Sequence, residues 1–555
     1  MKACALAGII GFIIILTPVS ASATTDDDLY AALRQYGFTG KMEEAFDQKL
    51  GRTLDPKLVD VGRLVFFDKG LGVHKSNSCA GCHSPTRGFG DTQPIAIGIG
   101  SGSDKVGPSR TGARNQRRTP MLIGIGLLPS LMWNGRFSSN SGDPFDNSRG
   151  FTFPYPEGQS FFPASDPRFP HLLAAQAHIP FTELPEMAGF GGFGDTENAP
   201  FVDVRFNSRR FSTVVIPARP SQQMKVLGLP ITPIPNDRPI RDDDDNTTNP
   251  PTPSDFDQFD DVSGNQDRFV PEPYDDVPSR NNPIRHEVLE RINNMREYRQ
   301  LFGQIYQSVN DGNAIEFYMI GQALSEFQLS LTYVNAPIDR YARGERGALT
   351  DEQKRGAILF FGKAGCVTCH TVAGNSNEMF SDFKSHATGV PSIAPVFGVG
   401  KGNVPFRNQE GTFTVKGPYD MGLFDITSLE ADRFKFRTSP LRNVGLQANF
   451  FHNGSFNNLE RAVRFHINPK AGARTYNPAN EGVPADLRSN MGRFDVVQEH
   501  LAPQLDNPVT LTDAELDAVV AFLNDALTDE RARADKLRQL VPARLPSGEP
   551  VQVFE

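Results

Sequence analysis

Four cysteines constrain this chain more than any other feature. They fall in two copies of one pattern, Cys79-Ala80-Gly81-Cys82-His83 and Cys366-Val367-Thr368-Cys369-His370. C-x-x-C-H is the spacing of c-type haem attachment. Two thiols one helical turn apart can bond the two vinyl groups of a porphyrin. The next residue then turns its imidazole toward the iron from the same side. Two disulfides are the alternative for four cysteines in an exported chain, but that pairing leaves both histidines without a role. The motifs therefore predict two covalently bound haem c groups, with His83 and His370 as proximal ligands of the first and second iron.

The fifth cysteine, Cys4, lies in the N-terminal segment. Lys2 gives a positive start, Ala5 to Leu16 is apolar, and Ala21-Ser22-Ala23 has the small-residue pattern of a cleavage site. The apolar run, about a dozen residues, is short for a membrane span. Residues 1–23 read as a signal peptide cleaved after about Ala23, which places the mature protein in the periplasm. An uncleaved anchor is the other reading. No later segment has 18 consecutive apolar residues, so stable membrane insertion is not expected. Hydrophobic residues make up 38% of the 555, enough for packed cores. The net charge of −9 argues against a nucleic-acid partner, which would select a basic surface.

Helical patterns surround both motifs. Thr350-Asp351-Glu352-Gln353 and Thr512-Asp513-Ala514-Glu515 read as capping boxes, and residues 313–331 form a third helical stretch. Strand alternation is sparse. The fold class is all-α, two cytochrome c-like haem domains with long irregular insertions in the N-terminal one. The N-terminal domain spans 24–335, with insertions at about 140–170 and 190–283, and the C-terminal domain spans 336–555. The motifs lie 287 residues apart, more than one small cytochrome domain needs. The run Asp242-Asp243-Asp244-Asp245 is a solvated loop or a calcium site; its spacing matches no defined calcium loop.

Several segments, in a common order around the two motifs, resemble the bacterial di-haem cytochrome c peroxidase/MauG family. They are Leu64-Val65-Phe66-Phe67-Asp68, Arg87-Gly88-Phe89-Gly90-Asp91, Thr119-Pro120, Trp133-Asn134-Gly135-Arg136, Pro185-Glu186-Met187, Ile338-Asp339-Arg340-Tyr341, Ser439-Pro440-Leu441-Arg442-Asn443-Val444 and Phe451-His452-Asn453-Gly454-Ser455. The resemblance implies that the N-terminal haem meets hydrogen peroxide, the C-terminal haem handles electrons, and Trp133 couples them. It assigns Glu186 as the acid that moves a proton between the two peroxide oxygens, with Glu183 as the local rival. It implies a small redox protein as electron donor (cytochrome c or cupredoxin), or, in MauG-like chemistry, a protein or organic substrate.

Two departures matter. Where many members carry a histidine that caps the first iron, this chain reads Ile97-Gly98-Ile99-Gly100, and isoleucine cannot ligate iron. An open first iron is expected, with His74 as the rival ligand. At the second haem, His466 stands where members place Met or Tyr, which implies ligation by His370 and His466, with Met379 as rival. Histidine lowers a haem's potential relative to methionine, which favours MauG-like storage of oxidising equivalents. A plain electron-transfer cytochrome is a third reading, disfavoured by Ile99. His452 matches a family histidine whose role the sequence leaves open. The family's calcium between the domains is doubtful here, because Arg118 aligns with its asparagine ligand, opposite carbonyls at Gln447 and Asn449.

Overall fold

The computed structural model describes residues 25–99, 104–112, 114–153, 162–188, 281–373, 377–393, 406–407, 413–414, 419–488 and 491–555. The leader, the acidic run and nearly all of the 190–283 insertion lie outside the described residues. Helices dominate, and strands among the described residues are two or three residues long.

Local signals explain where the main helices begin. Helix α1 (Thr25–Gln35) opens on Asp26, Asp27 and Asp28 and carries Arg34 in its last turn, charges that complement the helix dipole. Helix α2 (Pro56–Phe67) starts after Asp55, whose carboxylate accepts from the amides of Lys57 and Leu58, with proline at its first position. Helix α3 (Phe317–Ser330) is buried along most of its length. Helix α4 (Asp351–Phe361) and helix α6 (Asp513–Ala521) begin with the two capping boxes legible in the sequence, Thr350 with Gln353 and Thr512 with Glu515. Between them in the chain, helix α5 (Leu459–Ile467) is capped by Asn458.

The two haem motifs sit beside the same kind of crossing. Helices α2 and α3 meet at Gly62, where a Cβ would come within 1.9 Å of the Ala323 carbonyl oxygen. Helices α4 and α6 meet at Gly356, where a Cβ would come within 1.9 Å of the Ala518 carbonyl oxygen. Only glycine allows backbones this close. One turn beyond each glycine an aromatic pair follows, Phe66 with Phe327 at 5.2 Å and Phe360 with Phe522 at 5.4 Å. The sequence carries this internal similarity as a short shared run, Gly62-Arg63-Leu64-Val65-Phe66-Phe67 and Gly356-Ala357-Ile358-Leu359-Phe360-Phe361, which reading for repeats beyond the haem motifs missed.

Two large apolar clusters follow from these crossings. One gathers α2, α3 and the segment from Phe137 to Met187; the other gathers α4 and α6. The termini cross over. Leu29, Leu33 and Phe38 pack into the second cluster, whereas Ala532, Leu537, Leu545 and Phe554 pack into the first. The C-terminal strand Val553–Phe554 pairs in parallel with Lys105–Val106. Ser547 ties the tail down by donating from its amide and hydroxyl to Asp68, at 3.2 and 2.5 Å.

The stretch at 140–170, irregular by composition, is well anchored where described. Phe137–Ser139 pairs with Ser130–Leu131 and with Phe151–Thr152, and Phe151, Phe153, Phe162 and Phe169 enter the first cluster. These four phenylalanines are core residues, and Phe145 packs against the same cluster.

A buried ion pair holds the start of the second half. Arg442 donates to both Asp339 oxygens, at 2.7 and 2.8 Å, and both side chains are essentially inaccessible to water. Leaving one buried charge unpaired costs about 3–5 kcal/mol. Arg442→Met is expected to lower the unfolding free energy by about that much in urea titrations; a loss under about 1 kcal/mol would contradict this role.

Candidate haem sites

Each C-x-x-C-H segment forms a single turn, Cys79–Cys82 α-helical and Cys366–Thr368 in a tighter 3-10 turn. The four thiols are unpaired, so neither motif closes a disulfide. Both histidines are oriented alike. His83 Nδ1 bonds the Phe89 carbonyl at 3.0 Å, and His370 Nδ1 bonds the Phe380 carbonyl at 2.9 Å. A ring that donates from Nδ1 to a carbonyl presents an unprotonated Nε2, the form that ligates a metal. Both acceptors, Phe89 and Phe380, have positive φ, 55° and 58°. That conformation is costly for a bulky residue and turns each carbonyl back onto its histidine. Burial depresses the basicity of both rings, His83 to about 4, which keeps them neutral.

The second cavity is lined by Cys366, Cys369, His370 and His466. The rings of His370 and His466 have centroids 6.2 Å apart. A metal-bound nitrogen lies roughly 2 Å from the metal and roughly 1 Å from its own ring centre, so two trans imidazoles have centres about 6 Å apart. The spacing fits one iron between them. Met379 does not line this cavity; its methyl group packs against Gly124. His452 does line it, stacked on Phe436 at 3.6 Å and 9°, and burial holds it neutral, with its pKa lowered to about 3.

The first cavity is lined by Cys79, Cys82 and His83 on one side and by Trp133, Arg136, Glu183 and Glu186 elsewhere. Among the described residues that line it, His83 is the one histidine; His74 does not line it. Ile99 is buried, and the loop before it touches the motif, with Cys82 Sγ 3.4 Å from the Ile97 carbonyl oxygen. Met132 and Met187 also line the cavity. Both donor sets suit haem c, two thiols followed by a neutral imidazole, each facing a cavity.

Glu186 lies in the π-helical turn Leu184–Ala188. Burial, with help from the neighbouring Glu183 carboxylate and against the pull of Arg136, raises its pKa to about 8. Arg136 donates to Glu183 at 3.2 Å. The Glu186 carbonyl accepts from Asn77 at 2.8 Å, two residues before Cys79, and Asn77 is held in turn by Arg110 at 2.7 Å. Arg110 also reaches the carbonyls of Gly81 and Gly98. Sequence reading missed this arginine, which ties the attachment turn, the Ile97–Ile99 loop and the Glu186 turn together; an isolated arginine in a loop carries no signal of that role.

Trp133 lines both cavities. Its indole nitrogen donates to the Arg118 carbonyl at 2.7 Å, and the Arg118 guanidinium lies 5.0 Å from the ring centroid. Arg118 itself is buried and donates to the Phe451 carbonyl at 3.0 Å and to Gln447 Oε1 at 2.5 Å. The Arg118 guanidinium thus sits beside Gln447, the residue that the sequence places opposite it.

The sequence profile described as di-haem cytochrome c peroxidase matches residues 56–203 and 263–347. The chain is 35% identical to the cytochrome-c peroxidase IdrP2 of Pseudomonas sp. over 190 residues, 32% of this chain and 46% of that protein. It is 26% identical to the cytochrome c551 peroxidase of Pseudomonas aeruginosa over 39% of this chain and 55% of that one. These matches span about half the length of those relatives. The match to the methylamine utilization protein MauG of Methylorubrum extorquens is longer, 28% identity over 86% of both chains. With two C-x-x-C-H motifs, each facing its own cavity, and these relatives on both branches, the chain belongs to the di-haem cytochrome c peroxidase/MauG family.

Proposed function

We propose that this protein is an exported, periplasmic di-haem c oxidoreductase that reduces hydrogen peroxide at the N-terminal cavity and exchanges electrons through the C-terminal one. Cys79, Cys82 and His83 would hold the first haem; Cys366, Cys369, His370 and His466 would hold the second. When bound, the haems supply one-electron redox chemistry and, at an iron with one free face, a place for peroxide. Two cytochrome c-like units, 24–335 and 336–555 with exchanged termini, would carry them.

The observation that carries this reading is the asymmetry between the cavities. A second imidazole stands 6.2 Å from His370, whereas the cavity that His83 faces has no second histidine among the described residues that line it. Peroxide that enters there meets Glu186. Its carboxylate form takes the proton from one peroxide oxygen and returns it to the other as the O–O bond breaks. Arg136 fixes Glu183 beside it, and that carboxylate helps keep Glu186 ready to hold a proton. Trp133, shared by both cavities, would lie on the electron path between the two haems.

The nature of the reductant is the point at which two readings part. A small cytochrome or cupredoxin donor makes the protein a peroxidase. MauG-like oxidation of a partner protein or organic substrate is favoured by His466, because paired histidines lower the potential that a classical donor must match. Stopped-flow mixing of the peroxide-treated protein with a reduced small cytochrome separates them. Re-reduction at tens per second or faster is expected of a peroxidase, a rate typical of enzyme turnover. Slow re-reduction, with a long-lived oxidised state that decays on adding a substrate protein, selects the MauG-like reading. Peroxide inertness would leave only the electron carrier.

The position of Arg118 supports function without calcium. Incubation with a calcium chelator is expected to leave the ferric spectra and the peroxide rate unchanged. A chelator-induced loss of activity that calcium restores would contradict this.

A further inference from the structure

The lining of the second cavity carries two arginines, Arg118 and Arg437, and among the described residues that line it there is no aspartate or glutamate. The other titratable side chains facing it are Cys366, Cys369, His370, His386, His452 and His466. Arg118 is engaged with Gln447 and the Phe451 carbonyl. Arg437 differs. It is 4% exposed, and one terminal nitrogen of its guanidinium is buried with no hydrogen-bond partner. Its Nε makes only a long hydrogen bond, to the Met132 carbonyl at 3.3 Å. A buried guanidinium nitrogen without an acceptor is costly, and a cavity with two cations and no acid calls for an anionic occupant.

Haem c bears two carboxylate arms. We propose that Arg437 binds one carboxylate arm of the second haem and thereby sets that haem's potential. This rests on the reading that a haem fills the second cavity. The geometry adds a link to the first site. Arg437 lies on the strand Lys435–Arg437, and its backbone amide donates to the Trp133 carbonyl at 2.8 Å. One residue therefore grips the haem by its side chain and the shared tryptophan by its backbone. Substituting the side chain leaves the backbone contact in place, so the electrostatic role can be tested alone. Arginine's fork suits a carboxylate better than lysine does, but lysine preserves the charge.

The test uses the full holoprotein as wild type, Arg437→Gln and Arg437→Lys, with haem content measured first. The midpoint potential of the low-spin haem is then followed by optical titration. A cation beside the haem favours the ferrous state. Arg437→Gln is expected to lower the ferrous-to-ferric ratio at a fixed potential about tenfold, a fall of about 59 mV for a one-electron couple. Arg437→Lys is expected to recover most of that shift, a rescue that a merely structural arginine would not show. Arg437→Gln with both haems attached and an unchanged midpoint would overturn the proposal. Loading of the second haem in the lysine variant but not in the glutamine variant would support it.

If neither variant loads, the wild type decides, with the haem carboxyl carbons labelled with 13C. One labelled carboxylate that stays ionised through mildly acidic pH is expected; two that both titrate like free acids would overturn the proposal. A wild type with fewer than two haems would instead remove the underlying reading.

Discussion

Replacing Glu186 with glutamine is expected to slow peroxide consumption by about 10²–10⁴-fold, the usual worth of a positioned acid–base group, with both haems still attached. Glutamine keeps the shape and the backbone bond from Asn77 but can neither take nor return a proton. Glu183 is the neighbour that could compensate, but Arg136 already holds its carboxylate. Glu183→Gln is therefore expected to have a smaller effect than Glu186→Gln. A larger effect at Glu183 would reverse the assignment.

The raised pKa gives this prediction a second, independent signature. Burial and the adjacent Glu183 put Glu186 near 8 instead of its ordinary 4.5. Below that value the carboxyl holds its proton and cannot accept one from incoming peroxide; above it, it can. The kcat/KM for peroxide reports groups in the free enzyme, so it should rise with pH through about 8 and then level off. The limb should vanish in Glu186→Gln. A flat profile from pH 6 to 9 in the wild type would exclude Glu186 as the initial base.

The second large effect is expected at His466. Its replacement by alanine removes one of the two imidazoles whose ring centres stand 6.2 Å apart. The low-spin ferric signal should disappear and a second high-spin species should take its place. His466→Met should instead keep the haem low-spin and raise its midpoint potential, since methionine stabilises the ferrous state relative to histidine. A low-spin signal that survives in His466→Ala would mean that another residue lining the cavity, His386 or His452, ligates the iron.

The chain's chemistry was legible where it depends on local spacing. Both attachment motifs are short and contiguous, and both capping boxes lie within four residues, so Thr350 and Thr512 start helices where they were read to. What depends on contacts between distant segments was not legible. Nothing in the sequence indicates that Leu29 and Leu33 pack with α4 while Phe554 packs with α2 and α3. The carbonyls of Phe89 and Phe380 fix the histidines of both C-x-x-C-H motifs only through a left-handed backbone that phenylalanine rarely adopts. The sequence marks Arg118 as a misfit at a cation site, yet its place over Trp133 comes from the fold. Arg437 carries no sequence signal, because an arginine in a basic and apolar strand looks ordinary until the described residues around its cavity prove to include no acid.

The central claim is that one haem has a free face and the other has none. Electron paramagnetic resonance of the oxidised protein, before and after hydrogen peroxide and without any prior reduction, tests it directly. One high-spin and one low-spin ferric signal are predicted, with the high-spin signal lost on adding peroxide. Two low-spin signals untouched by peroxide would contradict the account and would point to a sulfur ligand from Met132 or Met187, which line the first cavity, closing the first iron.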